Sequence, residues 1–281
     1  MTVANFPRNN LSSGMVTLER YEFEWIRDYL YERAGIVLND SKKALVCGRL
    51  EKRVRHYGFN SYSEYFRIFD QPGFERETQT AIDLLTTNET YFFREPKHFE
   101  FLANHFFPAC RPGQKLRFWS AASSSGEEAY TLAMLAAEHA VTHHWEIVGT
   151  DISTRMLDKA KRGLYPIAAA DKIPKPLLKK HCLKGGGEYD GLFLIDTALR
   201  SRVQFMRANL IEKLPDLGGF DVIFLRNVMI YFDVRTKQRL IERIQQHLRP
   251  GGYFFISHSE SLNGIDSDLR LVSPSIYRKP G

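Results

Sequence analysis

Residues 115–140 read KLRFWSAASSSGEEAYTLAMLAAEHA, and this stretch decides the fold class. It begins as a short apolar strand, turns through a loop of small residues and continues as a helix rich in alanine and leucine. The same order returns downstream. The predicted strands are 145–150, 203–207, 221–225 and 253–257, and the predicted helices are 153–163 and 235–248. This alternation predicts an α/β domain with a doubly wound, Rossmann-like parallel sheet.

One part of the α/β region interrupts the alternation. A run of three glycines, Gly185–Gly187, is followed by a short extended segment that ends at Ile195. A turn that leads into one more strand is typical of an antiparallel hairpin. We therefore predict a small antiparallel β insertion around residues 182–200, within a domain that extends over 113–281.

Upstream of this domain the pattern is helical. Residues 17–85 place apolar side chains at helical spacing, and Gly35 and Gly58 divide them into short helices. This pattern predicts a small all-helical N-terminal domain. The segment 86–112 is predicted as a link with a helix of its own, and residues 1–16 are predicted as a flexible leader.

Composition limits the class of protein. The chain has 281 residues, 43% of them hydrophobic and 26% charged, which is typical of a soluble globular protein. Its apolar runs are of strand length, so no membrane-spanning segment is predicted. The three cysteines lack a C-x-x-C pair, which favours free thiols in a reducing cytoplasm without a disulfide or metal site. A net charge of +6 favours an acidic partner, whether nucleic acid, a membrane surface or a protein.

The ends of the predicted strands suggest a cofactor, because ligands of doubly wound sheets bind beyond the carboxyl ends of the strands. The first strand leads into Ala121–Glu128, which lacks the G-x-G-x-x-G pattern of dinucleotide sites. Glu127 and Glu128 would repel a diphosphate at this helix start but would suit the ammonium and sulfonium of S-adenosylmethionine. The alternative is that both glutamates only complement the helix dipole.

The ends of the next strands carry further candidates. Asp151 is suited to accept the ribose hydroxyls, although it could instead be the N-cap of the next helix, a role that Ser153 could also fill. Asn209 and Leu210 are candidates for contacts with adenine. The segment 226–233, RNVMIYFD, lacks the two-proline motif typical of methyltransferases that act on nucleobase nitrogens.

Four blocks of this sequence resemble the CheR family of chemotaxis receptor methyltransferases. They are LTTNETYFFRE at 85–95, WSAASSSGEE at 119–128, GTDI at 149–152 and RNVMIYFD at 226–233. The turn at 250–252 and the run SHSES at 257–261 also match. Together these blocks cover almost the whole chain from Thr17.

The resemblance implies a role for each matching residue. The linking segment would close over S-adenosylmethionine, Glu127 or Glu128 would hold the methionine ammonium, and Arg94 and Tyr231 would lie near the transferred methyl group as catalytic residues. The residues implied to bind the cofactor are Asn88, Thr90, Arg94, Ala121, Glu127, Glu128, Asp151, Asn209, Leu210, Asn227 and Val228.

The resemblance also implies the reaction, which is methyl transfer to glutamate side chains of bacterial chemoreceptors. A glutamate is ionised at neutral pH, so neither a general base nor a metal is expected. A basic helix with Arg49, Arg53 and Arg55 would attract the acidic receptor, unless it is only a solvated face. The β insertion docks a receptor tail in some members. We expect a cytoplasmic monomer that binds no nucleic acid; an inactive regulatory module and a nucleic-acid methyltransferase are the alternatives.

Overall fold

The computed structural model describes residues 16–140 and 144–281. The predicted leader lies outside the described residues except for Val16. Contacts divide the chain between Thr87 and Asn88 into two compact units, and each is described by itself. In the described part of the chain, no helix combines the length and apolar character needed to cross a membrane.

The first unit is all-helical, as predicted. Its elements are α1 (Arg20–Ala34), a 3₁₀ turn (Asp40–Lys42), α2 (Lys43–His56), α3 (Tyr62–Arg67) and α4 (Glu75–Leu85). Gly35 ends α1 in the left-handed conformation that glycine adopts without strain, and the Ser61 hydroxyl caps α3. Ile26, Val46 and Leu50 are fully buried, so the apolar stripes of these helices form the core.

The second unit begins with α5 (Pro96–Phe101), a π-helical turn (Leu102–Phe106) and α6 (Phe107–Ala109). These three segments follow one another without a break and confirm the helix predicted in the linking segment. Phe106 and Phe107 contact Phe118 of the first strand, with ring centroids 5.8 and 6.0 Å apart. The helix therefore packs against the sheet of its own unit.

The second unit contains two sheets. The strands are β1 (Leu116–Ser120), β2 (Trp145–Asp151), β3 (Leu164–Pro166), β4 (Cys182–Lys184), β5 (Leu192–Ile195), β6 (Val203–Arg207), β7 (Phe220–Phe224), β8 (Leu248–Phe255), β9 (Arg270–Ser273) and β10 (Ile276–Arg278). The α-helices after α6 are α7 (Glu127–His139), α8 (Thr154–Arg162), α9 (Lys175–His181), α10 (Thr197–Arg200) and α11 (Val234–His247). Short 3₁₀ turns occupy Ile167–Lys172, Gly187–Tyr189 and Met229–Tyr231.

The larger sheet has seven strands in the order β6-β2-β1-β7-β8-β10-β9. Its first five strands pair in parallel, which confirms the doubly wound arrangement, and the strand order reverses between β1 and β7. One edge of the sheet was not predicted, because β10 pairs antiparallel with β8 and β9 there. The adjacent carboxyl ends of β1 and β7 form the switch point at which ligands bind.

The predicted insertion is a separate three-stranded antiparallel sheet in the order β3-β5-β4. The sequence located only part of it, because β3 lies before residue 182. A strand of three residues directly after a helix cap is too short for its period to be recognised. Phe193 of β5 is buried against Tyr165 of β3, and the Tyr165 ring also contacts Tyr130 of α7, with ring centroids 6.2 Å apart, which joins the small sheet to the core.

Candidate cofactor and methyl-transfer site

The loop between β1 and α7 is held against the neighbouring strands. The Ala121 backbone N–H donates to the Phe224 carbonyl at 2.8 Å, and the Ala121 carbonyl accepts from the Thr150 hydroxyl at 2.9 Å. Gly126 has φ +97°, and a Cβ there would lie 2.9 Å from the Ala160 Cβ. Glycine is therefore required at this point for α8 to approach the loop.

Asp151 is fixed by the loop that it faces. Its Oδ2 accepts the Ser124 backbone N–H at 2.8 Å, and its Oδ1 accepts that of Ser153 at 2.9 Å. The Ser153 hydroxyl accepts from Met156 and is the N-cap of α8. Asp151 is therefore not the N-cap of α8, and the alternative role considered for it is wrong. A carboxylate oxygen can accept more than one hydrogen bond, so a side chain of this type can also accept from vicinal hydroxyls.

Glu127 and Glu128 point to different surroundings although they are neighbours in the chain. Glu127 accepts from the Ser125 hydroxyl at 2.8 and 3.0 Å, and burial raises its pKa to about 7. Glu128 accepts from Ser120 at 2.7 Å and pairs with Arg226 at 3.0 Å. Burial also raises the pKa of Glu128, although Arg226 opposes the shift. Both carboxyls are thus short of positive charge.

Arg226, at the end of β7, connects three parts of the site. One guanidinium nitrogen pairs with Glu128, and the other lies 3.2 Å from Glu95 and donates to the Arg94 carbonyl. Burial alone would raise the pKa of Glu95, but Arg226 and the Ser257 hydroxyl hold it below its ordinary value. Sequence reasoning quoted Arg226 and Glu95 within motifs without giving either a role. The sequence did contain a signal for both, because Glu95 directly follows Arg94 and Arg226 directly precedes Asn227.

The segment from Asn88 to Arg94 lies over this loop. The Ser124 hydroxyl donates to the Asn88 carbonyl at 3.3 Å, and the Phe93 backbone N–H donates to the Thr131 hydroxyl at 3.1 Å. The Arg94 guanidinium donates to the Glu89 carbonyl at 2.7 Å. Of the residues predicted here, Asn88 is therefore bonded to the loop after β1, and Arg94 is bonded to its own segment. Thr90 lies between them in the same segment.

The turn after β7 is fixed by one carboxylate. Glu260 accepts the backbone N–H groups of Asn227 at 3.1 Å, Met229 at 2.8 Å and Ile230 at 3.3 Å. Asn227 has φ +58°, a left-handed conformation that asparagine tolerates better than most residues. This turn presents Val228 and Tyr231, which are both partly exposed. Sequence reasoning missed Glu260, since its partners lie about 30 positions away.

Asn209 and Leu210 lie after β6, as predicted, and both are almost fully buried. The Asn209 side-chain oxygen accepts the Ile211 backbone N–H at 3.3 Å, and Arg243 of α11 donates to the Leu210 carbonyl at 3.2 Å. These bonds hold the turn at the carboxyl end of β6. The structure therefore places these two residues at the same edge of the sheet as Asp151.

The carboxylates at this edge of the sheet fit S-adenosylmethionine. Two glutamates with little exposure to solvent favour an added cation, which the ammonium and sulfonium supply, and Asp151 can accept from ribose hydroxyls. A dinucleotide would place a diphosphate against carboxyls at the start of α7, where its charge would be repelled. The residues present therefore suit a cationic nucleoside better than a phosphorylated one.

The three predicted substrate-binding arginines lie in the first unit, and each of them is bonded inside it. Arg49 donates to the carbonyls of Leu85 and Thr86 at 3.1 and 3.0 Å. Arg53 forms a bidentate pair with buried Glu77. Arg55 is 61% exposed and pairs with Glu51 one turn earlier. Of the three, Arg55 is the arginine most available to an acidic partner.

Comparison with known proteins agrees with this arrangement. Residues 88–277 match a family model described as "CheR methyltransferase, SAM binding domain", and residues 21–86 match "CheR methyltransferase, all-alpha domain". Chemotaxis protein methyltransferase 2 of Pseudomonas aeruginosa is 40% identical over 262 residues, covering 92% of each chain. The chemotaxis protein methyltransferase of Escherichia coli is 37% identical over 265 residues, covering 93% of this chain and 92% of its own. This chain belongs to the CheR methyltransferase family.

Proposed function

We propose that this chain transfers methyl from S-adenosylmethionine to glutamate carboxylates of bacterial chemoreceptors, giving glutamyl methyl esters and S-adenosylhomocysteine. The observation that carries the proposal is the set of carboxylates at the switch point, buried Glu127 and Asp151 and largely buried Glu128. They form a site for a cationic nucleoside within a CheR fold. The names of its relatives, chemotaxis protein methyltransferases, supply the pathway.

Glu128 is the glutamate that we assign to the methionine ammonium. Its carboxylate shares Arg226 with the backbone of Arg94, which is one of the two expected catalytic residues. Glu127 instead lies near Lys159, whose charge acts on it, and forms its hydrogen bonds with Ser125. An ammonium beside Glu128 therefore places the methionine end of the cofactor on the side of the site that carries Arg94.

The other cofactor contacts follow the strand ends. Asp151 would accept the ribose hydroxyls, while the loop at Ala121 allows close approach to its backbone. The turns with Asn209–Leu210 and Asn227–Val228 would enclose the adenosine, and Asn88 and Thr90 would close over it. Each of these groups lies at the carboxyl edge of the sheet or in the segment above the loop after β1.

The chemistry requires little of the protein beyond placement. When bound, S-adenosylmethionine supplies an electrophilic methyl group on a positively charged sulfur. A glutamate of ordinary pKa, about 4.3, is already a nucleophilic carboxylate at neutral pH. Arg94 would orient that carboxylate and the Tyr231 hydroxyl would fix the geometry of approach, so that the reacting oxygen and carbon are held in line. No proton has to be removed from the substrate.

The receptor is expected to contact two further surfaces. The basic helix α2 would attract the acidic methylation region, with Arg55 as its most exposed arginine. The small sheet ends in β4, an edge strand whose Leu183 is 53% exposed, and an added strand from a receptor tail could pair there. These contacts suit an enzyme that works in the cytoplasm as a monomer.

Transfer of labelled methyl from S-adenosylmethionine to chemoreceptor cytoplasmic fragments tests the proposal. Label that mild alkali releases as methanol is expected. Label that stays on the protein, or that appears on RNA or DNA instead, would overturn it, and cofactor binding without any transfer would favour a regulatory module.

The same assay tests the catalytic residues. Arg94→Ala and Tyr231→Phe are expected to lower turnover by about 100-fold because the carboxylate loses its alignment. Cofactor affinity should fall much less, as measured by calorimetry. Intact turnover in either variant would remove that residue from the mechanism.

A further inference from the structure

Three potential metal ligands converge beside Arg226. Glu95 precedes α5, His98 lies one helical turn later, and His258 follows β8. The Glu95 Oε2 is 3.5 Å from the His98 Nδ1 and 3.9 Å from the His258 Nε2. One atom from each residue lies within 4.8 Å of the other two. Small rotations of the side chains would bring all three to the distance of about 2.0–2.2 Å that zinc requires.

Ser275 bridges the two histidine rings through the ring nitrogens that do not face Glu95. The Ser275 hydroxyl donates its single proton to the Pro274 carbonyl at 2.6 Å. The same oxygen lies 2.7 Å from the His98 Nε2 and 2.9 Å from the His258 Nδ1, so it bridges the outer nitrogens of the two rings. A neutral imidazole that donates from one nitrogen to this oxygen carries its lone pair on the other nitrogen, which can then bind a metal.

The inner nitrogens of the two rings, the His98 Nδ1 and the His258 Nε2, face the Glu95 carboxylate. His98 is fully buried, and its Nδ1 makes no hydrogen bond to any described residue. A buried polar atom without a partner costs free energy, and the His98 Nδ1 is such an atom. A cation held between the three side chains would give it a partner.

We propose that Glu95, His98 and His258 form a binding site for a divalent transition-metal ion of the zinc class. Two imidazoles and a carboxylate are a ligand set that zinc uses where its fourth position is left to water. Ser275 holds the outer nitrogen of both rings, as the second shell of a metal site does. The His258 side chain is 41% exposed, which gives an ion a path from solvent.

Arg226 limits the affinity of this site. Its guanidinium lies 3.2 Å from the Glu95 Oε2, which is the ligand oxygen, so an ion and the arginine compete for one carboxylate. The site is therefore weaker than a closed structural zinc site. Binding would also draw Glu95 from Arg226, which holds the Arg94 carbonyl, and would thereby reach the proposed catalytic segment.

Cobalt(II) titration of the full-length protein without a histidine tag tests the inference, with visible absorption as the readout and zinc as competitor. Wild-type protein is expected to give the spectrum of low-coordinate cobalt bound to nitrogen and oxygen, which zinc abolishes. His258→Ala should weaken binding at least about tenfold. His56→Ala, which removes an exposed histidine of α2, should leave binding unchanged.

Ser275→Ala provides a second variant that keeps all three ligands. It should weaken binding by about tenfold, and its unfolding temperature without metal should fall by only a few degrees, because the buried His98 ring loses one hydrogen bond. Equal affinity in wild type, His258→Ala and Ser275→Ala would overturn the inference, as would the absence of binding at millimolar cobalt. Thiolate-to-cobalt charge transfer would also overturn it, since the ion would then lie on Cys47, Cys110 or Cys182. None of these readouts depends on methyl transfer, so the proposed function stands or fails separately.

Discussion

Glu77 of the helical unit and Glu128 of the second unit are glutamates with little exposure to solvent, each bonded to an arginine and a hydroxyl, yet their pKa values move in opposite directions. Burial would raise the pKa of Glu77, but Arg53 and Tyr65 lower it. Tyr65 donates to Glu77 at 2.6 Å and Arg53 donates through two nitrogens. Burial raises the pKa of Glu128 even though Arg226 opposes the shift.

The difference lies in how each arginine is shared. Arg53 gives two nitrogens to Glu77 alone, so that carboxylate is complete without a ligand. Arg226 divides its bonds among Glu128, Glu95 and the Arg94 carbonyl, and the Glu95 charge also acts against ionisation of Glu128. A buried carboxylate that its own protein leaves short of positive charge is a candidate for a cationic ligand. A buried carboxylate that is fully neutralised by its own protein, such as Glu77, instead stabilises the fold.

The largest effect is expected on the stability of the helical unit when the Arg53–Glu77 pair is broken. Glu77→Gln keeps the shape of the side chain but leaves Arg53 without its counter-charge, and should lower the free energy of unfolding by about 3 kcal/mol. Urea unfolding measures the loss. Glu75→Gln, at the exposed start of the same helix, is the control and should have little effect. Equal midpoints for the two variants would show that Glu77 is not the stabilising element.

Glu127 should make stability depend on pH in the absence of ligand. Its pKa is raised to about 7 by burial, so the folded state keeps a proton that the unfolded chain releases near pH 4.5. The contribution of this proton to the free energy of unfolding is fully present below pH 4.5 and is lost as pH rises through about 7. The total loss is about 3 kcal/mol. Unfolding of Glu127→Gln between pH 5 and 8 should lack this part of the decline. A parallel decline in wild type and variant would contradict the assignment.

Replacing Arg226, which bonds to three groups of the site, should lower the rate of methyl transfer more than the stability of the fold. In Arg226→Lys, a single ammonium cannot bridge both carboxylates and the Arg94 carbonyl, so turnover should fall by about 100-fold. Methyl-transfer kinetics measure it. Arg249→Lys is the matched control, because Arg249 pairs with Asp221 at the opposite end of β7, at 2.7 Å. Similar losses in the two variants would indicate a general structural effect.

The two glutamates at the start of α7 can be separated by cofactor affinity. Glu128→Gln should weaken S-adenosylmethionine binding by about 10- to 100-fold, because a hydrogen bond to a charged group contributes about 1.5–3 kcal/mol. Glu127→Gln should weaken it by no more than about threefold. Calorimetry at neutral pH measures both. The reverse order would transfer the ammonium contact to Glu127.

The smallest expected effect is on receptor recognition. Arg55→Glu should raise KM for the receptor fragment about two- to fivefold, less at high salt, and should leave cofactor affinity unchanged. Arg53 is unsuitable for this test because its reversal would break the Glu77 pair. Arg20→Glu reverses a charge on α1 and is the control. An equal rise in KM for both would mean that α2 has no specific role.

The elements with a strong period were predictable from the sequence alone. The strand at 203–207 was predicted with its observed bounds, and the helix at 153–163 differs only in counting its two caps. The resemblance to the CheR family is confirmed over most of the chain. The antiparallel edge formed by β9 and β10 was missed, since strands of three or four residues give too little alternation to recognise.

The sequence by itself determined the fold class, the family and the strand ends at which the site lies, because hydrophobic period and motif are local properties of the chain. Only the tertiary structure decided which charges meet. Arg226 reaches Glu95 and Glu128 from about 100 or more positions away, and His98 faces His258 across 160. Such partners become neighbours only when parallel strands bring their ends to one edge. The state of each buried carboxylate therefore depends on contacts that no local pattern contains.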